Sequence, residues 1–401
     1  MNNKTVILAG LILLATACSS IEPTARPGSD VVARLASEYE LSQQREGILF
    51  WDTEERRVGF RSIPEIFPTR RVASGERVYE LSDRPTDLSG ITYLVDGERF
   101  LLSDFLDMEG TISAIVIQND DVLLETYRQG ATRDDTWISF SVTKSITSML
   151  IGAAIADGYI GSVDEPVAHY LPRLRGTGYE DATIRDVLHM ASGIEWNEDY
   201  ADPRSDVALA GGANGIELVR YLAKLPNAAE PGTRFNYNTG ETNLVGEILR
   251  SAIGNNASTY LEHRVWKPFG MESDAFWVLS TDGGTELGGC CLSMTLRDYA
   301  RVGIFAMKDG VLPDGTRVLP EGWMQASTTP SRGYEGYGYL WWLFGEGTFA
   351  AQGIFGQLIF VDPESNLVIA MHSSAPAASG SAYDAHQTAA ALAIRDWARN
   401  R

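Results

Sequence analysis

The sequence predicts a mixed α/β (α+β) fold in which an antiparallel sheet flanked by helices lies beside a helical lobe. Runs typical of strands occur over residues 113–127 and again over 338–372. Residues 164–274 are predicted to form mostly helices and loops. An almost wholly apolar helix is predicted over 146–156. Because strands at both ends enclose the helical insertion, we expect a functional site at the seam between the two lobes.

The predicted elements follow from these patterns and from turn signals. A hairpin is predicted from strands over 113–118 and 122–127, joined by a turn at 119–121. The apolar helix should end at Asp157-Gly158, a sequence typical of a left-handed cap. The remaining predictions are helices over 183–190, 240–253 and 387–399, and strands over 338–344, 350–361 and 367–372.

The composition restricts the function. The chain has 401 residues, of which 44% are hydrophobic, so a large core can form without disulfides or metals. The formal net charge of −20 is spread along the chain and disfavours binding to nucleic acid. The five histidines are scattered, and no metal site or cofactor is predicted. Cys290 and Cys291 are expected to remain unpaired, because a disulfide between sequence neighbours is strained.

The N-terminus resembles an export signal. Residues 1–4 are positively charged, and residues 5–14 form an apolar run too short to cross a membrane. Small residues precede Cys18, which favours a lipoprotein signal peptide over 1–18 with lipid attached to Cys18. The alternative is an ordinary signal peptide cleaved near Ala17. Either interpretation predicts a protein of the cell envelope or periplasm, and Ser19 resembles a signal for the outer membrane of a Gram-negative cell.

The rest of the chain divides into two parts. Residues 19–45 are predicted to be a flexible linker, because the segment 19–30 is rich in Pro, Ser and Gly. Residues 46–401 are predicted to form one domain. Its sheet lobe would comprise about 46–160 and 280–401, and its helical lobe about 161–279.

Ser141 and Lys144 are the first candidates for catalysis. Their spacing places both side chains on one face of a helix start. A serine hydroxyl needs a neighbouring base, and a lysine serves as that base when burial lowers its pKa. An exposed polar cap would show the same spacing, but the apolar helix that follows indicates burial. The chain contains no G-x-S-x-G sequence, which argues against an α/β-hydrolase.

Four segments resemble the serine β-lactamase and penicillin-binding-protein superfamily. They are SFSVTKS at 139–145, ATIRDVLHMASGI at 182–194, PGTRFNYNTG at 231–240 and GGCCLSMTLRDYA at 288–300. The chain is most similar to the class C β-lactamase-related branch, which includes 6-aminohexanoate-dimer hydrolase and carboxylesterases. The resemblance implies that Ser141 is the nucleophile, that Lys144 is the base and that Tyr237 shares proton transfer. A phenol beside an ammonium group is expected to have a lowered pKa.

Two positions depart from the family pattern. Thr239 stands where the family has an asparagine, and Ala351 stands where β-lactamases place a cation that holds the substrate carboxylate. Gly353 is retained and is expected to permit close approach to the substrate. The resemblance implies an oxyanion hole formed by the backbone N–H groups of Ser141 and Ile354. These features favour uncharged substrates.

Aromatic residues near these motifs have two interpretations each. Tyr200 either lines the substrate pocket or is a surface aromatic. The aromatic residues between 334 and 342 either form a pocket wall or, as we expect, a core strand.

The sequence therefore predicts an exported serine hydrolase that acts through an acyl-enzyme on small-molecule esters or linear amides. One alternative is a DD-peptidase or β-lactamase of the same fold, and another is a non-catalytic binding lipoprotein. The only predicted association with a membrane is through the lipid on Cys18.

Overall fold

The structure is a computed structural model that describes residues 28–41 and 47–401, without the side chains of 39–41. The predicted signal peptide and Cys18 lie outside the described residues. The helices are α1 (Ser29–Leu41), α2 (Thr53–Gly59), α3 (Ile63–Ile66), α4 (Leu102–Leu106), α5 (Val142–Ala156), α6 (Val167–Tyr170), α7 (Ile184–Leu188), α8 (Asp206–Ala210), α9 (Gly215–Leu222), α10 (Thr239–Ile253), α11 (Ala257–Leu261), α12 (Lys267–Phe269), α13 (Leu296–Met307), α14 (Trp323–Ser327) and α15 (Ala382–Arg399).

The strands are β1 (Thr69–Val72), β2 (Ser82–Asp83), β3 (Thr92–Val95), β4 (Glu98–Leu101), β5 (Thr111–Gln118), β6 (Asp121–Tyr127), β7 (Trp137–Ile138), β8 (Ala275–Val278), β9 (Leu292–Met294), β10 (Trp342–Leu343), β11 (Phe349–Gly353), β12 (Gln357–Asp362) and β13 (Leu367–Ser373). Short 3₁₀ turns occur at Ile48–Phe50, Pro172–Leu174 and Ile354–Gly356, and a π-helical turn over Glu262–Trp266 joins α11 to α12.

The largest sheet has the strand order β10-β11-β12-β13-β5-β6-β2. Its strand pairs are antiparallel except for β2, which runs parallel to β6. Side chains alternate across β5: Ile115 and Ile117 join the core shared with α5 and α13, whereas Ala114 and Val116 join the core shared with α15. Helices therefore cover both faces of this sheet, which confirms the predicted fold class.

A smaller antiparallel sheet, in the order β1-β8-β9-β7, leads directly to the predicted nucleophile. Its edge strand β7 pairs with β9 through Trp137 with Met294 and Ile138 with Ser293. Three residues separate the end of β7 from the start of α5. The sheet thus fixes the point at which α5 begins.

Helix α5 is buried along almost its whole length. Its buried residues run without a break from Val142 to Ala154, and it packs against α10 and β11. At Gly152 a Cβ atom would lie 2.7 Å from the ring of Trp323, so only glycine fits there. The predicted all-round burial of this helix is confirmed.

The predicted linker over 19–45 is wrong for the part that the structure describes. Helix α1 occupies Ser29–Leu41, and Leu35 is 2% exposed in a core that it shares with Trp51, Phe60 and Ile63. The prediction relied on the composition of 19–30 and overlooked the apolar spacing that begins at Val31.

Several predicted boundaries near the C-terminus are also wrong. Residues 338–344 contain only the short strand β10, because Leu340 has a left-handed backbone (φ +61°). The single strand predicted over 350–361 is two strands, β11 and β12, which reverse direction at Phe355 and Gly356 (φ +60° and +86°). The last helix begins at Ala382, five residues before the predicted start at Gln387.

Two further features concern cysteines and membranes. Cys290 and Cys291 lie side by side in the segment before β9, and Cys291 is buried. Among the residues that the structure describes, the helices are all too short or too polar to cross a membrane.

Candidate functional site

Ser141 lies at the N-cap of α5, immediately after a strained turn. The preceding residue, Phe140, is buried and has a left-handed backbone (φ +43°). The hydroxyls of Ser139 and Thr143 hydrogen bond to each other over 2.6 Å, and both accept from the N–H of Leu292. These bonds to β9 hold the turn in place, and Ser141 remains at the wall of a cavity.

Lys144 is the centre of the site. Its side chain is 1% exposed, and its Nζ lies 3.1 Å from the Ser141 Oγ, 3.0 Å from the Thr239 Oγ1 and 2.8 Å from the Gly289 carbonyl oxygen. Burial lowers the pKa of Lys144 to about 8, although the negative charge of Glu198 acts in the opposite direction. A substantial fraction of this lysine is therefore neutral near pH 8.

The partners of Lys144 determine where its lone pair points. A neutral amine has two N–H groups and one lone pair. The Gly289 carbonyl can only accept, and the Thr239 hydroxyl accepts as well, because its own hydrogen is donated to the carboxylate of Glu198. The Ser141 hydroxyl is the remaining neighbour of the three that can donate. The arrangement directs the lone pair at Ser141, as a general base requires.

Glu198 is the residue that the sequence analysis missed. Its Oε2 accepts from the N–H of Thr239 over 3.0 Å and from the indole of Trp196, and its Oε1 accepts from the hydroxyl of Tyr200 over 2.7 Å. The loop containing Glu198 was noted only for Tyr200. The contact with Thr239 spans 41 residues, so sequence proximity gave no indication of it.

Helix α10 supplies Thr239 at its first turn. The N-cap Asn238 accepts from the N–H of Glu241 over 2.9 Å, which fixes the start of the helix. Tyr237 lies two residues before Thr239. Its ring stacks on that of Trp342 with centroids 5.6 Å apart, and the Lys144 Nζ lies 5.3 Å from the Tyr237 ring centroid.

The titration of Tyr237 differs from the expectation. Burial raises the pKa of its phenol well above the usual value, and the charge of Glu198 adds to this effect. Its interaction with the Ser141 hydroxyl acts in the opposite direction but is weaker. The expected lowering of the pKa is therefore wrong, because burial outweighs the nearby ammonium. Tyr237 keeps its proton near neutral pH and can donate it.

Gly353 has a packing role on β11. A Cβ atom at this position would lie 2.5 Å from the Ser139 carbonyl oxygen and 3.2 Å from the Phe140 Cβ. The absence of a side chain therefore lets β11 approach the turn before Ser141, rather than the substrate as expected. Ile354, which follows, lines the same cavity as Ser141.

Phe60, which caps the C-terminus of α2, packs against this junction. Its ring lies 5.0 Å from that of Phe140 and 5.4 Å from that of Phe355, measured between centroids. Phe140 precedes Ser141, Phe355 follows Ile354, and both have left-handed backbones. The ring of Phe60 thus contacts one neighbour in sequence of each of the two residues whose N–H groups are predicted to bind the oxyanion.

Ala351 does not face the cavity. Its side chain is 1% exposed within the main core, and the residue pairs with Ile359 on β12. Position 351 therefore offers no group to a substrate carboxylate in this chain. Of the aromatic residues between 334 and 342, Tyr337, Tyr339 and Trp341 are buried as expected, whereas Tyr334 is 42% exposed and lies outside the strands.

The cavity beside Ser141 has a volume of about 620 Å³. Ser141, Lys144, Tyr200, Thr239 and Ile354 line it, so the structure brings five of the predicted site residues to one cavity. Tyr200 therefore belongs to the pocket rather than to the outer surface. Tyr237 contacts this group through Lys144 and Ser141. The predicted lipidation residue, Cys18, lies outside the described part of the chain.

Comparisons with known proteins agree with this site. The profile of the Beta-lactamase family matches residues 105–393. The chain is 31% identical over 300 residues to the 6-aminohexanoate-dimer hydrolase of Paenarthrobacter ureafaciens, covering 69% of this chain and 75% of that protein.

Solved structures show the same fold. The structure of a proposed 6-aminohexanoate-dimer hydrolase from Bacillus anthracis superposes with a TM-score of 0.75 at 22% identity, covering 86% of this chain and 94% of that one. A family VIII carboxylesterase superposes with a TM-score of 0.56 at 18% identity, covering 73% and 96%. The profile match over most of the chain, together with the 31% identical relative, shows that this protein belongs to the beta-lactamase family of hydrolases.

Proposed function

We propose that this protein is a serine hydrolase that cleaves ester or small linear amide bonds through an acyl-enzyme on Ser141. The observation that carries the proposal is the buried Lys144, whose Nζ lies 3.1 Å from the Ser141 Oγ with a pKa lowered to about 8. The relatives named as an amide-bond hydrolase and a carboxylesterase support the same class of reaction.

Acylation follows from the hydrogen-bond pattern. Neutral Lys144 accepts the Ser141 proton while the Oγ forms a bond to the substrate carbonyl carbon. The carbonyl oxygen becomes an oxyanion, which the backbone N–H groups of Ser141 and Ile354 would stabilise. The intermediate collapses as the bond to the leaving group breaks. Tyr237, which stays protonated, donates a proton to that group and regains one from Lys144.

Deacylation repeats these steps with water. Lys144 accepts a proton from a water molecule, whose oxygen attacks the acyl carbon of the Ser141 ester. The bond to Oγ breaks, Oγ recovers its proton, and the carboxylic acid is released. Each cycle consumes one water molecule and leaves Ser141 and Lys144 unchanged.

The site favours uncharged substrates over β-lactams. A β-lactam carries a carboxylate, and burying an unpaired charge is costly. Ala351 lies in the core, and the N–H groups of Lys144 already have partners. A missing charge-assisted hydrogen bond of roughly 1.5–3 kcal/mol corresponds to about ten- to a hundredfold in efficiency.

We also propose that the enzyme is exported and tethered through Cys18. The support is the sequence of residues 1–18, in which an apolar run and small residues precede the cysteine. Lipidation would place the catalytic domain outside the cytoplasm, where small esters and amides from the surroundings reach it first.

The nucleophile can be identified by covalent labelling of the full-length protein. A fluorophosphonate probe followed by peptide mass spectrometry should modify Ser141 and no other serine. Ser139 is bonded to Thr143, and Ser145 donates to the Leu340 carbonyl over 2.6 Å, so neither is available. Labelling of either serine, or labelling of Ser141→Ala to the wild-type extent, would contradict the assignment.

The substrate class can be tested by comparing two chromogenic substrates. We expect measurable turnover of p-nitrophenyl butyrate and at least tenfold lower kcat/KM for nitrocefin. The reverse order would support the alternative of a β-lactamase or DD-peptidase.

A further inference from the structure

One wall of the cavity is built by the N-terminal arm, by which we mean the described residues between 28 and 67. Leu35, Ile48, Leu49, Phe50, Trp51 and Phe67 of this arm line the cavity beside Ser141. The arm precedes residues 105–393, where the family profile matches. This wall therefore lies outside the part of the chain that the family profile matches.

The wall is apolar where it meets solvent. Phe50 is 36% exposed, and its neighbours Ile48 and Leu49 are half-buried. Large apolar side chains left in water at the mouth of a cavity indicate a surface that an apolar ligand covers.

The charges around this wall disfavour an anionic ligand. Among the cavity-lining residues that the structure describes, Lys144 carries the one basic side chain, and its hydrogen-bond partners are already in place. The arm contributes Glu38 and Glu55, which share Arg34 at 3.6 and 2.7 Å. Among the described residues that line the cavity, the charged side chains are thus two carboxylates and the buried Lys144.

We propose that the N-terminal arm is a specificity element that binds an uncharged, extended alkyl chain of the substrate, on either side of the scissile bond. The proposal rests on the hydrolase function proposed above and names its substrate class. The cavity of about 620 Å³ is in the range of sites for ligands much larger than acetate. Each buried methylene adds about 0.8 kcal/mol, or about fourfold in kcat/KM.

The test uses the full-length protein and two series of esters. One series compares p-nitrophenyl acetate, butyrate and octanoate, and the other compares ethyl acetate with octyl acetate by pH-stat titration. We expect kcat/KM to rise at least tenfold from the shortest to the longest member of at least one series. We also expect p-nitrophenyl hemisuberate, which ends in a carboxylate, to react at least tenfold more slowly than the octanoate.

A substitution in the wall links this preference to the arm. Ile48→Lys places a cation in the half-buried wall. It should lower the ratio of kcat/KM for octanoate to that for acetate, or for octyl acetate to that for ethyl acetate, at least fivefold. It should also raise kcat/KM for the hemisuberate relative to that for the octanoate. Leu94→Lys is the matched control, because Leu94 is 60% exposed on β3 and does not line the cavity. It should leave these ratios unchanged, and thermal melts of both variants verify folding.

The possible outcomes separate the two proposals. Turnover that is independent of chain length in both series, or ratios that Ile48→Lys and Leu94→Lys alter equally, would overturn the role of the arm and leave the hydrolase function intact. Failure to turn over any ester would overturn the hydrolase function and, with it, the chain specificity.

Discussion

At the scale of single residues, the proposed reaction depends on a lysine that must be neutral to accept a proton. Burial lowers the pKa of Lys144 to about 8, so the fraction of neutral amine increases as the pH rises towards that value. Activity should therefore increase from pH 6 to about pH 8 and then level off, with an acid limb that reports the ionisation of Lys144.

Substitution of Lys144 tests this role. Lys144→Ala should lower kcat for p-nitrophenyl butyrate by roughly a thousandfold or more, because it removes half of a nucleophile–base pair. Lys144→Arg should not restore activity, since a guanidinium stays protonated. The exposed Lys224→Ala serves as the control and should match the wild type. Substantial activity in the arginine variant would mean that Lys144 contributes only its charge.

Glu198 controls Lys144 through Thr239 and through its own charge. Glu198→Gln removes a charge that raises the pKa of Lys144, so the acid limb of the pH–activity profile should move to lower pH. The amide cannot accept all four donors that the carboxylate accepts, so kcat should fall about ten- to a hundredfold.

Glu195→Gln provides the matched control for that experiment. It removes an equal charge from an exposed position three residues earlier in the same loop. Its pH–activity profile should coincide with that of the wild type. An acid limb that stays in place in Glu198→Gln would show that the carboxylate does not influence Lys144.

The site residues that the sequence could predict all lie in short local motifs. Ser141 and Lys144 lie within one helical turn, so their spacing was enough to propose them, whereas Tyr237 and Thr239 were proposed because residues 231–240 resemble a family motif. Glu198 could not be predicted in this way, because it meets Thr239 only through the folding of a distant loop. The direction of the Tyr237 pKa shift depended on burial, which the motif does not reveal.

At the scale of secondary-structure elements, α2 supports the turn and the strand end that border the site. Phe60 contacts Phe140 and Phe355, whose left-handed backbones are strained conformations that the surroundings must maintain. Loosening this contact should displace the backbone N–H groups of Ser141 and Ile354 from the positions that an oxyanion requires.

Phe60→Leu tests this support while keeping an apolar side chain in place. We expect kcat to fall about tenfold with little change in KM, because the loss is confined to the transition state. Phe105→Leu is the control, since Phe105 is equally buried but packs against Tyr383 in the core beneath α15. Equal loss of kcat in both variants would indicate a general effect on stability.

Helices with a clear pattern of apolar residues were predictable from the sequence. Strands whose ends depend on a local reversal of the backbone were not. The helix predicted over 146–156 is part of α5, and the helix predicted over 240–253 matches α10 within one residue. The strand predicted over 350–361 failed because a left-handed phenylalanine, Phe355, begins a reversal that apolar composition conceals.

At the scale of the whole molecule, the proposed position of the enzyme in the cell depends on Cys18. Radiolabelled palmitate should enter the wild-type protein and not Cys18→Ser, and the variant should move to the soluble fraction of the envelope. Catalytic constants of the variant should be unchanged, because Cys18 precedes the catalytic domain predicted over 46–401. Equal labelling of both proteins would contradict lipidation.

The burial of α5 ties catalysis to complete folding. Its neighbours include α10 in the helical region and β11 in the large sheet, which are separated by about a hundred residues of chain. Neither Ser141 nor Lys144 reaches its environment until both regions have closed around this helix, so a partly folded chain carries an ordinary serine and a hydrated ammonium group. Enzyme activity should consequently reappear during refolding in step with the slowest tertiary signal and never ahead of it. With the proposed export, newly made chains that are still unfolded would not hydrolyse the esters of the cytoplasm.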